Sequence, residues 1–316
     1  MPTHDARTGD DWFRRMPKVE LHVHIEGSIP LEVLWDLVVR HGAASEVRDL
    51  EGLQRKLSFH SFHQFIEAWV WKSRFLRDEA DYARIGEAFA RRCVAQNIRH
   101  CEAHCSPIDA TAHGLDIPTA VRALRAGIER VPEARVLLIV DLVRNFGADR
   151  ARATLDALDS LDRGGVVGVG LGGSEAEHPA SLFAEVFTTA AARGWRRSIH
   201  AGEAAGPQSI REALDTCHAE RIGHGIRAIE DADLMHRLGD EGIPLEVCPT
   251  SNLRTQVVDR LDRHPIAALK AAGLRVCLGS DDPAFFGSDL DGELRLLHRG
   301  LGWTTAALRG LQLAAA

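Results

Sequence analysis

The chain has 316 residues, 45% of them hydrophobic and 26% charged, with a formal net charge of −7. That balance suits a globular chain with a sizeable core and argues against a general nucleic-acid binder, which needs basic patches that this sequence lacks. No apolar run approaches the roughly eighteen residues that span a bilayer, and the polar opening residues lack a signal-peptide core, so a cytoplasmic protein without membrane contact is expected. The six cysteines, Cys93, Cys101, Cys105, Cys217, Cys248 and Cys277, lack Cys-x-x-Cys spacing, which predicts free thiols in a reducing compartment.

The first element is a strand over residues 18–27, in which Val19, Leu21, Val23 and Ile25 alternate with Glu20, His22, His24 and Glu26. A period of two puts His22 and His24 on one face, with Glu26 just beyond. Extra helices follow. One starts at Pro30 with Leu31, Leu34, Leu37 and Val38; another covers 59–76 with Phe62, Phe65, Ile66, Trp69 and Val70; a third covers 82–96. The aromatic positions of the second read as core packing, or as a wall over a flat ligand. A strand over 98–104 repeats the alternation with His100, Glu102 and His104, which are rival metal ligands.

The pattern then repeats. Helices over 119–131, 148–161, 179–193, 207–217, 231–241 and 265–272 alternate with strands over 135–142, 166–171, 196–200, 221–224, 243–248 and 274–279. Strict alternation implies a parallel sheet with crossover helices, and eight such units predict a single-domain α/β fold, a closed (β/α)8 TIM barrel. The domain is expected to run over 1–316, with 1–15 flexible.

In such barrels the chemistry sits at the C-terminal ends of the strands. Here His22 and His24, His200 with Glu203, His224, and Asp281 with Asp282 all fall there. His22, His24, His200 and Asp281 make three imidazoles and a carboxylate, a set suited to zinc or a similar divalent ion. Glu203 is placed to shuttle a proton, and His224 and Asp282 are placed to orient a water. These parts point to metal-assisted hydrolysis.

The motifs resemble a known family. Residues Pro17-Lys18-Val19-Glu20-Leu21-His22-Val23-His24-Ile25-Glu26-Gly27-Ser28 look like the opening motif of the adenosine/adenine deaminases. His200-Ala201-Gly202-Glu203, Arg221-Ile222-Gly223-His224-Gly225, Cys248-Pro249-Thr250-Ser251-Asn252 and Ser280-Asp281-Asp282-Pro283 are similar to its later motifs, in the same order. The resemblance implies one Zn2+ per chain on His22, His24, His200 and Asp281, with a small purine as substrate. Glu203 would protonate purine N1, His224 and Asp282 would orient the water that attacks C6, and ammonia would leave. Gly173 matches the glycine whose backbone contacts purine N3, and Glu26 stands where the family contacts the sugar edge.

Departures bear on the substrate. Adenosine deaminases usually carry Asp where Glu26 stands, whereas adenine deaminases more often carry Glu, and Ser174 replaces an acidic residue beside Gly173. The run Glu203-Ala204-Ala205-Gly206-Pro207 resembles the nucleoside enzymes. An adenine nucleoside is therefore expected, with adenine or 6-aminodeoxyfutalosine as alternatives. The chain ends shortly after Leu311-Gln312-Leu313, which reads as a helix just begun, so the family's closing helix is expected to be short. Lysine occurs only at Lys18, Lys56, Lys72 and Lys270, none following a barrel strand, which argues against a binuclear amidohydrolase with a bridging lysine. A non-catalytic purine-binding barrel is disfavoured by the complete set of Glu203, His224, Asp281 and Asp282.

Overall fold

The computed structural model describes residues 9–43, 46–59 and 62–316, with side chains from 64 onward in the last stretch. Eight parallel strands pair in sequence order: β1 (Lys18–Glu20), β2 (Ile98–Cys105), β3 (Val136–Asp141), β4 (Val166–Leu171), β5 (Arg196–Ala201), β6 (Arg221–His224), β7 (Leu245–Val247) and β8 (Val276–Leu278). The barrel closes beyond the last regular strand. The N–H of Asp281 donates to the carbonyl of His22 at 3.1 Å, and that of His24 donates to the carbonyl of Asp281 at 2.8 Å. The (β/α)8 barrel expected from the alternation is thus the observed fold. Its strands bury both faces, which is why β3 reads as the unbroken apolar run Val-Leu-Leu-Ile-Val before Asp141.

The opening strand is shorter than its alternation suggests. Regular pairing stops at Glu20, Val23 and His24 make single bridges, and Glu26–Ser28 is a 3-10 turn. The two imidazoles thus leave the sheet where the chain bends over the barrel mouth. Among the described residues four helices follow before β2: Leu31–Arg40, Leu50–Leu57, Phe62–Ser73 and Glu79–Ala95. In the third, Trp71 and Ala68 pack into the core while Phe65, Ile66, Trp69 and Val70 line the cavity described below. Of the stripe read from sequence, Phe65, Ile66, Trp69 and Val70 thus face the cavity, the side chain of Phe62 lies outside the described residues, and the helix packs into the core through Trp71 instead.

Both termini of the described chain are tied down. The expected flexible start covers residues 1–8, outside the described residues, and Asp10–Arg15, which is a helix. Phe13 is fully buried, and the buried Lys18 ammonium donates to the carbonyls of Phe13 (2.6 Å) and Met16 (2.7 Å) and pairs with Asp291 at 2.9 Å. At the other end the helix read as just begun runs Thr305–Ala315. It buries Leu308 and Leu311, and the Gln312 side chain accepts the N–H of Val19 at 2.7 Å, so it closes the barrel over β1. All six cysteines are free and buried. Among the described residues no helix is long and apolar enough to cross a membrane.

One buried carboxyl makes stability pH-dependent. Glu293 is completely buried and accepts the N–H of Thr250 at 3.2 Å, and burial pushes it up to about 8. A carboxyl raised in the folded state contributes fully below its ordinary value, and its contribution is lost as pH rises from there through about 8. Glu293→Gln keeps an acceptor without the titration. Thermal melts at roughly pH 5.5 and pH 8.5 should therefore show a larger fall for the wild type than for the variant. Parallel falls would refute the assignment.

Candidate active site

A cavity of about 330 Å3 opens at the C-terminal ends of the strands. Its wall includes His24, Ser106, Asp109, Asp141, Gly173, His200, Glu203, His224, Asp281 and Asp282, beneath the aromatic side of Phe65, Trp69 and Phe286. An open groove of about 840 Å3 between Trp12 and Leu313, at the opposite pole, is larger but contains none of these groups.

Four of the predicted ligands meet at the cavity floor. Nε2 of His24 lies 3.2 Å from Nε2 of His200, and Oδ1 of Asp281 lies 3.5 Å from His24 Nε2 and 3.6 Å from His22 Nε2. His22, His200, His224 and Asp281 each place one donor atom within 4.8 Å of the others; His24 joins this set through His200 and Asp281. The Asp281 separations are too long for hydrogen bonds, and His22 Nε2 is buried without a hydrogen-bond partner. Donors converging on one point, rich in imidazole with one carboxylate and with His22 Nε2 left unpartnered, fit a divalent ion. Burial holds His24 down at about 3 and His200 well below the usual imidazole range, so both rings are neutral as ligation requires, whereas the carboxylates of Asp281 and Glu246 outweigh burial at His22 and push it up to about 10.

The backbone is shaped for this cluster. His224 (φ 59°) and Asp281 (φ 61°) sit in the left-handed region, which for such residues costs on the order of 1–3 kcal/mol each. Gly27 has no room for a Cβ, which would fall 1.7 Å from Oδ1 of Asp282. Gly173 combines φ +104° with the same constraint: a Cβ there would lie 2.1 Å from Oδ1 of Asn145.

Around the cluster, Glu203 points its Oε2 at Nε2 of His224, 3.5 Å away. Burial, with Asp281 and Glu175 adding, pushes Glu203 up to about 8, so it holds a proton at neutral pH. Asp282 is buried with Oδ1 lacking a hydrogen-bond partner. Glu26 does not line the cavity. It lies behind the wall, where Oε1 accepts the N–H of Ser106 at 2.9 Å and its carbonyl accepts the Lys72 ammonium at 2.7 Å. Of the rival ligands, Glu102 is tied to Arg221 at 2.6 Å and to His100 at 3.3 Å, on the far side of the barrel interior. His104 sits among the cluster's rings, with centroids 5.0 Å from His24 and 5.2 Å from His22.

Several supporting residues were not singled out from sequence. Glu246 accepts Nδ1–H of His22 at 3.0 Å and is itself paired with Arg221 at 2.5 Å, an arrangement that turns His22 Nε2 toward the cluster. Its signal is a charge inside the apolar run Pro244-Leu245-Glu246-Val247. The Glu175 carboxylate accepts four backbone N–H groups, those of Gly202 (2.5 Å), Glu203 (3.1 Å), Ala204 (2.7 Å) and Ala205 (3.0 Å), and so holds the Glu203 loop. Lys72 lies 3.4 Å from the centroid of the Trp69 ring and braces that wall. Nothing in the spacing of Lys72 or Glu175 announces these contacts.

A family model for adenosine deaminase matches residues 17–316. The chain is 38% identical over 306 residues to an adenine deaminase of Pseudomonas putida, covering 95% of this chain and 96% of that one. It is 38% identical over 305 residues to an adenine deaminase of Streptomyces coelicolor, covering 95% and 89%. Its fold is similar to the crystal structure of adenine deaminase from Arthrobacter aurescens, with TM-score 0.90 and 35% identity over 95% of this chain and 92% of that one. It is also similar to an amidohydrolase from Burkholderia ambifaria with bound Zn, with TM-score 0.89 and 25% identity over 98% and 89%.

Proposed function

The chain belongs to the adenosine deaminase family of hydrolytic purine deaminases, and on that premise we propose that it converts free adenine and water to the 6-oxo purine and ammonia, using one zinc ion. The observation that carries the substrate is the 38% identity to adenine deaminases along nearly the whole of both chains. The cavity supports it. At about 330 Å3 it lies at the small end of the usual range of roughly 300–1,000 Å3, which suits a bare base.

The chemistry of the free base supplies a second argument. Adenine carries a ring N–H on its imidazole edge, and a sugar removes it. A site for the free base therefore needs an acceptor there. Of the carboxylates in the cavity wall, Asp141 holds the N–H groups of Gly172 (2.8 Å) and Val143 (3.0 Å), and Glu203, Asp281 and Asp282 face the reacting end. Asp109, on the turn after β2, remains to accept that proton.

His22, His24, His200 and Asp281 would hold the ion, and three imidazoles with one carboxylate favour zinc. When bound, such an ion lowers the pKa of water toward ~7 and so supplies a nucleophile at neutral pH. His224 and Asp282 orient the attacking water against C6. Glu203 gives its proton to purine N1, which makes C6 electron-poor. The water oxygen bonds to C6 as one of its protons passes by way of Asp282 to the amino group, the C6–N bond breaks and ammonia leaves, and the proton remaining on that oxygen returns to Glu203 as the 6-oxo group forms. The Gly173 backbone meets N3, and Trp69 covers the ring.

An assay of adenine, adenosine, 2′-deoxyadenosine and 6-aminodeoxyfutalosine by absorbance loss tests the substrate. Adenine should exceed every nucleoside in kcat/KM by about 10²-fold or more, because a site built for a hydrogen bond rejects a ligand that lacks it. Asp109→Ala should narrow that gap while leaving metal content unchanged. The nucleoside reading rests on the run Glu203-Ala204-Ala205-Gly206-Pro207, and preferential turnover of adenosine would establish it instead.

A further inference from the structure

Behind His224 a chain of hydrogen bonds leads away from the cavity and ends on a backbone amide. The N–H of Ile266, at the start of the helix Ile266–Ala271, donates to Nδ1 of His264 at 3.1 Å. A backbone N–H can only donate, so this ring nitrogen accepts and carries no proton. His264 is buried, and burial pushes it down to about 4, so the ring is neutral and its one proton sits on Nε2. That nitrogen lies 3.1 Å from Oδ1 of Asn252 and donates to it. With its oxygen committed, the Asn252 amide presents Nδ2, a donor only, to Nδ1 of His224 at 3.3 Å.

Each link fixes the next. Reversing the Asn252 amide would set its NH2 group against the Nε2–H of His264, donor against donor. Turning the His264 ring over would break its bond from Ile266. The acceptor state therefore passes to His224 Nδ1. The proton of the neutral His224 ring is left on Nε2, which faces Glu203 Oε2 at 3.5 Å and Asp281 Oδ2 at 3.9 Å. The partner of one imidazole nitrogen sets the protonation of the other. Here that partner is set by a group that cannot titrate.

We propose that His264 and Asn252 are positioning residues that lock His224 in its Nε2–H tautomer, so that His224 orients the attacking water by donating to its oxygen and does not accept its proton. This rests on the role given to His224 above. Asn252 and His264 are both buried and neither lines the cavity, so their effect on the reaction runs through His224.

Long-range ¹H–¹⁵N spectra of the full chain labelled with ¹⁵N-histidine read the tautomer directly. The His224 signal is identified as the one missing from His224→Gln, and an Nε2–H pattern is expected. In Asn252→Asp the side chain keeps its shape and still accepts from His264, but it turns an acceptor toward His224. The ring should then gain an Nδ1–H, and kcat should fall by about 10²-fold or more with KM and metal content close to wild type. In the His224→Gln background the same change should cost little more, because its effect passes through the missing ring. A wild-type His224 with its proton on Nδ1 overturns the proposal, whether or not the variant folds. So does a kcat loss from Asn252→Asp that persists undiminished in the His224→Gln background. Full kcat in His224→Gln would overturn the role of His224 in the reaction, and the wild-type spectrum would still judge the lock separately.

Discussion

Glu203→Gln is expected to lose roughly 10²–10⁴-fold in kcat while keeping its fold and its metal, the usual size of a general acid–base contribution. Gln matches Glu in length and keeps a donor and an acceptor, but it has no acidic proton to give to purine N1. The backbone that presents the side chain should not move, because Glu175 grips the N–H groups of Gly202, Glu203, Ala204 and Ala205 and none of those bonds uses the substituted group. The site also keeps Glu203 in the protonated form that this role requires. Burial raises Glu203 to about 8, with the carboxylates of Asp281 and Glu175 contributing, so the proton is present at neutral pH and weakly enough held to be transferred. Steady-state kinetics beside metal analysis check this. A variant with near-normal kcat would mean that another group protonates the ring, and Glu203 would then be a loop residue only.

What the sequence made legible follows from what each residue does. Strands buried on both faces must be apolar, so β3 and β4 stand out as runs, and polar residues at the strand ends stand out against such segments. That contrast singled out His22, His24, His200, Glu203, His224, Asp281 and Asp282, which the structure gathers around one cavity. The end of β1 is misplaced by its pattern because alternation continues through His22 and His24 after pairing with the neighbours has lapsed. Hydrophobic period reports burial, and both residues remain buried beyond the last ladder bond. The helices Asp10–Arg15 and Thr305–Ala315 are too close to the ends to show a long period, and their docking depends on single long-range contacts such as Val19 to Gln312.

Glu26 shows a different limit. Its motif position is clear, but which way a carboxylate faces depends on neighbours far along the chain. Here those neighbours are Ser106, whose N–H it accepts, and Lys72, whose ammonium rests on the Trp69 ring. The polar surface of the cavity on that side is consequently supplied by Ser106 and Asp109. Glu175, Glu246 and the pair Asn252 and His264 act at second hand, through backbone amides or another side chain, and residue type carries no record of such a partner.

Substitution of a ligand should have the other large effect. His200→Ala and Asp281→Ala are each expected to drop the metal content from about one ion per chain to almost none and to abolish turnover, since a mononuclear site has no ligand to spare. The geometry also predicts which neighbours are dispensable. His104 sits among the same rings, but its nitrogens reach toward His22 and Glu246, deeper in the barrel, and Glu246 is already committed to Arg221 and Ser198. His104→Ala should therefore keep its metal, and that contrast separates true ligands from buried imidazoles that only pack beside them. Removing the ion with a chelator should lower the melting temperature as well, because a ligand that binds only the folded chain stabilises it by mass action. It would also leave His22 Nε2 buried without a hydrogen-bond partner. Elemental analysis of the purified variants distinguishes these outcomes. Full metal retention in both His200→Ala and Asp281→Ala would remove the assignment, and loss of metal from His104→Ala would move the site one layer down the barrel.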